Sequence, residues 1–400
     1  MKSRILILLV ILMGCSPDDR ENDVILPEVS LVEITEITQN SAITGGVITD
    51  DLGSEIQAKG VCWSTSANPT IEDNFTNEGP GSDAFVSILS NLTDNTTFYV
   101  RAYATNSTGT SYSSELSFTT CGVFEGNVTL SSQQEVDKFG AEGYCEINGD
   151  LTIGHCTSDP RADITDLSPL NSIRKINGTL NIHCLDNLSR LEGLANLEEV
   201  GQDVDINGFA TKNIDGLQSL TKVGRDLEIS IRDLENVDGL SNLKEIDGSL
   251  SILFNYALTS ISFLHNLEHV GFEIRIWNNM SLVNLIGLEK IEELGYLDIV
   301  ENPLQSLEGL NNLKKVRHVV HLDTNWNLTD VDGLNGLLEI GNPTLTYGSL
   351  RIHDNQNLVD YCGLQPLMNN GFNNNGVQLE LHDNGYNPSF GELLQGLCVE

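Results

Sequence analysis

The stretch GLSNLKEIDGSLSI, residues 239–252, decides the fold, because it recurs along the chain with little change. The copies are GLANLEEVGQDVDI at 193–206, GLQSLTKVGRDLEI at 216–229 and GLEKIEELGYLDI at 287–299, set 23 or 24 residues apart or at twice that spacing. A fixed period of this length predicts a solenoid, in which each unit hides its apolar face against the next. Each unit holds two apolar residues at spacing two, such as Leu250 and Ile252, as a short strand does. It then holds Gly-Leu-x-x-Leu-x-x-Ile/Val, as in Leu240, Leu243 and Ile246. Apolar spacing of three without the step to i+4 favours a tight three-sided coil over a long helix. The reading is mainly β: one strand per turn, stacked into a long parallel sheet, with short helical pieces at most.

Working outward, aligned strands begin near Leu151, Leu180, Val204, Leu227, Leu250, Ile274, Leu297, Val320, Leu350 and Leu379. Terminal coils have one neighbour each and are the weak points. The cysteines fall there. Cys121, Cys145, Cys156 and Cys184 sit at one end, Cys362 and Cys398 at the other. Proximity pairs 121 with 145 and 362 with 398. Similar offsets after their strands pair 156 with 184. Ser132-x-x-Glu135 and Ser389-x-x-Glu392 are capping-box patterns. Each leads an amphipathic run (Val136 and Phe139; Leu393, Leu394 and Leu397) expected to lid the core.

The whole unit, Gly-x-Leu-x-Ile, Asn, Leu, then Gly-Leu-x-x-Leu-x-x-Ile, resembles the receptor L domain over residues 121–400. That family includes the outer domains of insulin and epidermal growth factor receptors and bacterial cell-surface proteins. The resemblance implies a right-handed β-helix-like solenoid. This chain carries more turns than one receptor domain and lacks the cysteine-rich modules and the kinase, so growth-factor binding does not carry over.

Residues 29–120 are organised differently. Short alternating runs such as Val29–Ile34, Ser41–Ile48, Ala58–Trp63 and Thr97–Tyr103 predict about seven strands in a small sandwich. The motif Leu92-x-x-x-Thr96-x-Phe98-Tyr-Val-Arg-Ala-Tyr103-Ala-Thr-Asn106-x-x-Gly109 resembles a bacterial fibronectin type III domain. Phe98 stands where that family usually has a corner tyrosine. Cys62 and Trp63 alternate on a strand, so one of the pair is expected inside, with Cys62 read as a buried free thiol.

At the start, Lys2 and Arg4 precede an apolar run from Ile5 to Met13 and then Leu12-Met13-Gly14-Cys15. Residues 1–14 read as a secretory signal too short to span a bilayer. The cysteine resembles a bacterial lipobox, which implies cleavage before Cys15 and lipid on its thiol. Residues 15–28 read as a disordered tether. Their acidic stretch resembles the export signal of Bacteroidetes surface lipoproteins, which implies an outer-membrane protein facing outward.

The formal charge of −36 opposes phosphate backbones and anionic headgroups. Nucleic acid is therefore excluded as a partner, and the membrane is reached through the lipid alone. The charge leaves open a cationic ligand or calcium.

On the strands, residues beside the core pair must face outward. One outward column reads His183, Asn207, Ser230, Leu253, Trp277, Val300, Asp323, His353 and His382. The other reads Asn181, Asp205, Glu228, Ser251, Arg275, Asp298, His321, Arg351 and Glu380. Leu253, Trp277 and Val300 form an apolar strip with Arg275 beside it, the candidate ligand-binding site. Asn255, Asn279, Asn302, Asn325 and Asn355 are expected inward, satisfying backbone groups. His353-Asp354 and His382-Asp383 recur because the unit recurs, and no metal or cofactor is assigned. Carboxylates are spread over the turns without a distinctive pair, and no nucleophile–base motif appears, so no catalytic residue is named. The expected function is capture of a protein or a glycan on the sheet face. A glycan-handling lipoprotein partnered with a transporter, and a structural envelope component, are the alternatives.

Overall fold

In a computed structural model, residues 25–154, 163–185, 187–208, 211–235, 237–341, 349–370 and 378–400 are described. The signal segment, Cys15, most of the tether and Cys156 lie outside them. The chain divides into two compact units at Thr120/Cys121.

In the first unit, strands Glu28–Leu31, Ser41–Asp50 and Phe85–Ser90 form one antiparallel sheet. Asn74–Phe75, Ala58–Ser64, Thr97–Thr105 and Thr110–Tyr112 form another, with Leu116–Thr119 pairing Thr97–Thr105. Ala42, Val61, Leu89, Val100, Ala102 and Phe118 make the core. Phe98 stacks on Phe118 at 5.8 Å between centroids, so burial replaces the hydroxyl bond a tyrosine would make. The expectation that only one of Cys62 and Trp63 is inside fails. Both are buried, because their strand is covered on both faces. Cys62 Sγ contacts the carbonyls of Pro69 and Arg101 at 3.3 and 3.5 Å. It is a free thiol that burial pushes up to about 11, despite the opposing Arg101 charge. Lys59 is equally buried and donates to the Gly81 and Asp83 carbonyls at 2.8 and 2.7 Å.

The second unit is the repeat. A 12-stranded sheet runs from Val128–Leu130 to Gln378–His382 with every pairing between successive coils parallel. Its register is shifted only between Leu294 and Tyr296, and the inward row holds throughout: Leu180 opposes Val204, Val204 opposes Leu227, and Leu227 opposes Leu250. Ile274, Leu297, Val320, Leu350 and Leu379 continue that row. A single sheet was expected, and there are two. Short strands ending the Leu-x-x-Ile/Val motif, such as Glu199–Val200, Lys222–Val223 and Glu245–Ile246, stack into a second, 7-stranded parallel sheet. Two residues per strand are too few to show an alternation in sequence.

The corner between the sheets explains the motif. Glu192–Leu194, Asp238–Leu240, Ser262–Leu264 and Asp332–Leu334 are one-turn 3₁₀ segments. Side chains at i and i+3 eclipse in such a turn, which brings Leu240 and Leu243 together inside. The glycine before the leucine is set by close approach. A Cβ on Gly239 would lie 2.2 Å from the Ile214 carbonyl oxygen of the preceding coil, and one on Gly333 2.1 Å from that of Leu307. One coil places Phe263 there instead and still buries it.

Disulfides join Cys121 to Cys145 and Cys362 to Cys398. Cys184 is disulfide-bonded as well; its expected partner, Cys156, is outside the described residues. Helix Gln133–Gly140 is capped by Ser132, and Phe390–Leu394 by a full capping box of Ser389 and Glu392. Val136 and Leu393 enter the core. Leu394 and Leu397, expected to help lid the core, are more than half exposed: the five-residue helix turns only one side inward, and Leu397 lies beyond its end.

Candidate binding face of the long sheet

Six strands of the long sheet, from Leu250–Leu253 to Gln378–His382, are each followed by a non-glycine residue at positive φ: Phe254, Asn278, Glu301, Thr324, Asp354 and Asp383 lie between 52° and 59°. Such residues are strained by about 1–2 kcal/mol apiece. The next residue supplies the compensation. Asn255, Asn279, Asn302, Asn325 and Asn355 are fully buried. The Asn279 Oδ1 accepts the Asn255 backbone N–H at 3.1 Å, and its Nδ2 donates to the Ile252 carbonyl at 2.9 Å. Asn325 and Asn355 repeat this linkage, and Asn384, which sequence reasoning missed, extends it. The signal was present, since Asn384 follows Leu381 at the offset by which Asn355 follows Ile352.

With strand ends fixed this way, the outward columns form as read, except that Ser251 is buried. Leu253 opposes Trp277, and Trp277 opposes Val300. All three are half-buried rather than fully exposed, while Phe254 and Met280 beside them are 44% and 46% exposed and widen the apolar patch.

The Arg275 guanidinium lies 5.0 Å from the centroid of the Trp277 ring. Its Nη2 reaches Glu273 Oε2 at 2.8 Å and its Nε lies 3.8 Å from Asp298 Oδ2. Glu273, missed in the sequence because it precedes the expected strand, is held above the usual carboxylate range by burial. Burial, then the neighbouring Asp205 charge, does the same to Glu228. Arg275 therefore meets two carboxylates, and the strip is apolar rather than cationic. The buried Trp277 indole N–H has no acceptor among the described residues.

Beyond Val300 the face turns polar. His321 Nδ1 lies 2.9 Å from Asp298 Oδ1, and His353 Nδ1 lies 3.3 Å from Asp323 Oδ1. The expected repeat of His353 and His382 appears as two parallel rings stacked at 4.8 Å. Ligand atoms converge elsewhere: one each from His321, Asp323 and His353 lie within 4.8 Å of one another. A second group, Asp360, Cys362 and Cys398, has its sulfurs tied in a disulfide.

Two further features were not singled out in the sequence; in the first, Tyr296 is the rung partner of Glu273. Phe272, Tyr296 and His318 stack on successive coils, with Tyr296 and His318 at 4.6 Å. Their spacing of 24 and 22 residues was the overlooked signal. An open groove of about 970 Å³ includes Glu268, Lys290, Glu293 and Arg317 in its lining. There Lys290 pairs with Glu268 at 3.1 Å and Arg317 with Glu293 at 3.7 Å.

No known protein family matches the chain, and no curated protein matches it. Among solved structures, the sensor domain of an anti-sigma factor from Pseudobacteroides cellulosolvens is 21% identical, covering 24% of this chain and 93% of that one, with a TM-score of 0.19. The third fibronectin III domain of a human protein is 17% identical over 27% of this chain and 92% of its own, TM-score 0.19. A pectate lyase from Erwinia chrysanthemi is 9% identical over 81% of this chain and 85% of its own, TM-score 0.19. Scores of this size assign neither a fold nor an activity.

Proposed function

We propose that this is a lipid-anchored binding protein of the outer membrane, facing outward. In this reading a fibronectin-like module spaces a right-handed, receptor L domain-like solenoid from the membrane. The solenoid captures a ligand on its long sheet without turning it over. One observation carries the proposal: the parallel register sets Leu253, Trp277 and Val300 on consecutive rungs, an apolar strip on an otherwise strongly charged chain.

A protein ligand suits the strip better than a sugar. Stacking on a sugar needs a free aromatic face, and one face of Trp277 carries Arg275. An apolar side chain seated on the strip needs no free aromatic face. The test compares full-length wild-type protein with Trp277→Ala and Trp277→Ala/Arg275→Ala variants on purified surface proteins and on glycan arrays. Loss of a protein interaction by about tenfold or more supports the reading. Retention of every interaction by the double variant removes the strip as the site, and loss of glycan binding alone transfers the function to glycan handling.

A further inference from the structure

The four residues Asp298, His321, His353 and Asp323 form a chain across the outward face. Asp298 and His321 are direct rung partners, as are Asp323 and His353. Each imidazole has its Nδ1 on a carboxylate: His321 on Asp298 at 2.9 Å, and His353 on Asp323 at 3.3 Å and Asp354 at 3.4 Å. An ionised carboxylate only accepts, so the hydrogen of each neutral ring sits on Nδ1 and the lone pair on Nε2. The two Nε2 atoms point at each other, 3.1 Å apart. Two lone pairs held at that distance repel unless a cation lies between them.

We propose that His321, His353 and Asp323 bind one divalent transition-metal ion of the zinc class. Two nitrogens bound to zinc at 2.0–2.1 Å in tetrahedral geometry lie roughly 3.3 Å apart, close to the separation seen here. Metal-bound histidines characteristically have the other ring nitrogen on a carboxylate, which fixes tautomer and orientation. Asp298 already stands in that relation to His321, and Asp354 to His353. A carboxylate oxygen of Asp323 is the third ligand, and water completes the shell. The site is reachable, since the side chains of His321 and His353 are 27% and 19% exposed.

The surrounding charge favours a dication. Asp298, Asp323 and Asp354 contact the two imidazoles, and the cation opposite His321, Arg351, is paired with Glu380 at 3.2 Å. His382 is not a ligand. Its Nδ1 contacts Asp383 at 2.9 Å and its ring lies flat along His353, so its nitrogens run parallel to the site instead of converging on it. Such nitrogen-and-carboxylate sets suit zinc, nickel or copper better than calcium or magnesium, which prefer oxygen.

The test titrates the full-length, disulfide-bonded protein with Zn²⁺ against a chromophoric chelator and, separately, with Co²⁺ followed by visible absorption. One equivalent is expected to bind to wild type. His321→Ala and His353→Ala are expected to weaken binding a hundredfold or more, Asp298→Asn ten- to a hundredfold, and His382→Ala not at all. The unfolding midpoint of each variant in chelator shows that the coil is intact. A single-site wild type whose imidazole ¹⁵N resonances shift at His321 and His353 on adding Zn²⁺ supports the site without any variant. Absence of stoichiometric binding, or binding that survives the His321→Ala/His353→Ala double change, overturns it. Unchanged resonances overturn it too, leaving a proton as the cation between the rings.

Discussion

Replacing Asn279 by alanine tests how the coils are held in register. The side chain is fully buried. Its oxygen accepts from the Asn255 backbone N–H at 3.1 Å and Asn255 Nδ2 at 3.0 Å, and its nitrogen donates to the Ile252 and Trp277 carbonyls at 2.9 and 3.1 Å. The Trp277 carbonyl keeps a second donor, the Phe254 N–H at 2.9 Å. Asn255 Nδ2 keeps the Ile229 carbonyl at 3.1 Å, but the Asn255 N–H and the Ile252 carbonyl each lose a bond in a place water does not reach. At about 1–3 kcal/mol for each of these two groups, the variant loses about 2–6 kcal/mol. Asn312 is the control. It too bonds the preceding coil, donating to the Glu289 carbonyl at 2.8 Å, but it is exposed. Water replaces that bond, so Asn312→Ala loses under about 1 kcal/mol. Urea unfolding of the full chain followed by circular dichroism measures both. Equal losses would show that burial is not what makes the ladder matter.

Gly333→Ala drives a methyl into the Leu307 carbonyl and is expected to cost about 1–3 kcal/mol. Gly391→Ala, in helix Phe390–Leu394 with open space around it, is expected to gain about 0.5–1 kcal/mol; thermal melts with the same sign for both refute the close-approach argument. Replacing Cys362 and Cys398 by serine opens a loop of 36 residues and is expected to lower stability by about 4 kcal/mol. Protease nicking should then begin at this end of the repeat, and nicking that starts elsewhere counts against a terminal weak point. The Cys62 thiol is raised from 9.0 to about 11 by burial, so the folded state holds it neutral. As pH rises past 9.0 the unfolded thiol ionises first, and the stabilisation is lost between pH 9.0 and about 11. The stability difference between wild type and Cys62→Ala should fall by about 2–3 kcal/mol over that window. A pH-independent difference refutes it.

The repeat was legible because its period is written in leucines whose spacing is the geometry itself. Leu250 and Ile252 at spacing two, and Leu240 and Leu243 at spacing three, state a strand and a tight turn. The second sheet was not legible, since Glu245–Ile246 contributes one inward residue and a single residue has no period. The strip was legible as a column once the strands were aligned. Glu273 was not, lying one step before the apolar pair, and with it went the neutralisation of Arg275. The histidine pair escaped because His321 and His353 belong to different columns on successive coils. The diagonal that joins them depends on side-chain direction, which alignment by rung does not carry.

The buried amides also give the repeat a polarity. From Ile231 to Asn384, backbone N–H groups at this corner point at the oxygen of the asparagine side chain next along, save at Asn302, where the side-chain nitrogen makes the link to Asn325, like magnets laid nose to tail. Aligned dipoles reinforce one another, so the assembly has a head and a tail that are chemically unlike. Whole coils are therefore the natural currency of change: a segment gained or lost as a complete asparagine-bearing unit rejoins the queue. One of any other size leaves a gap in it.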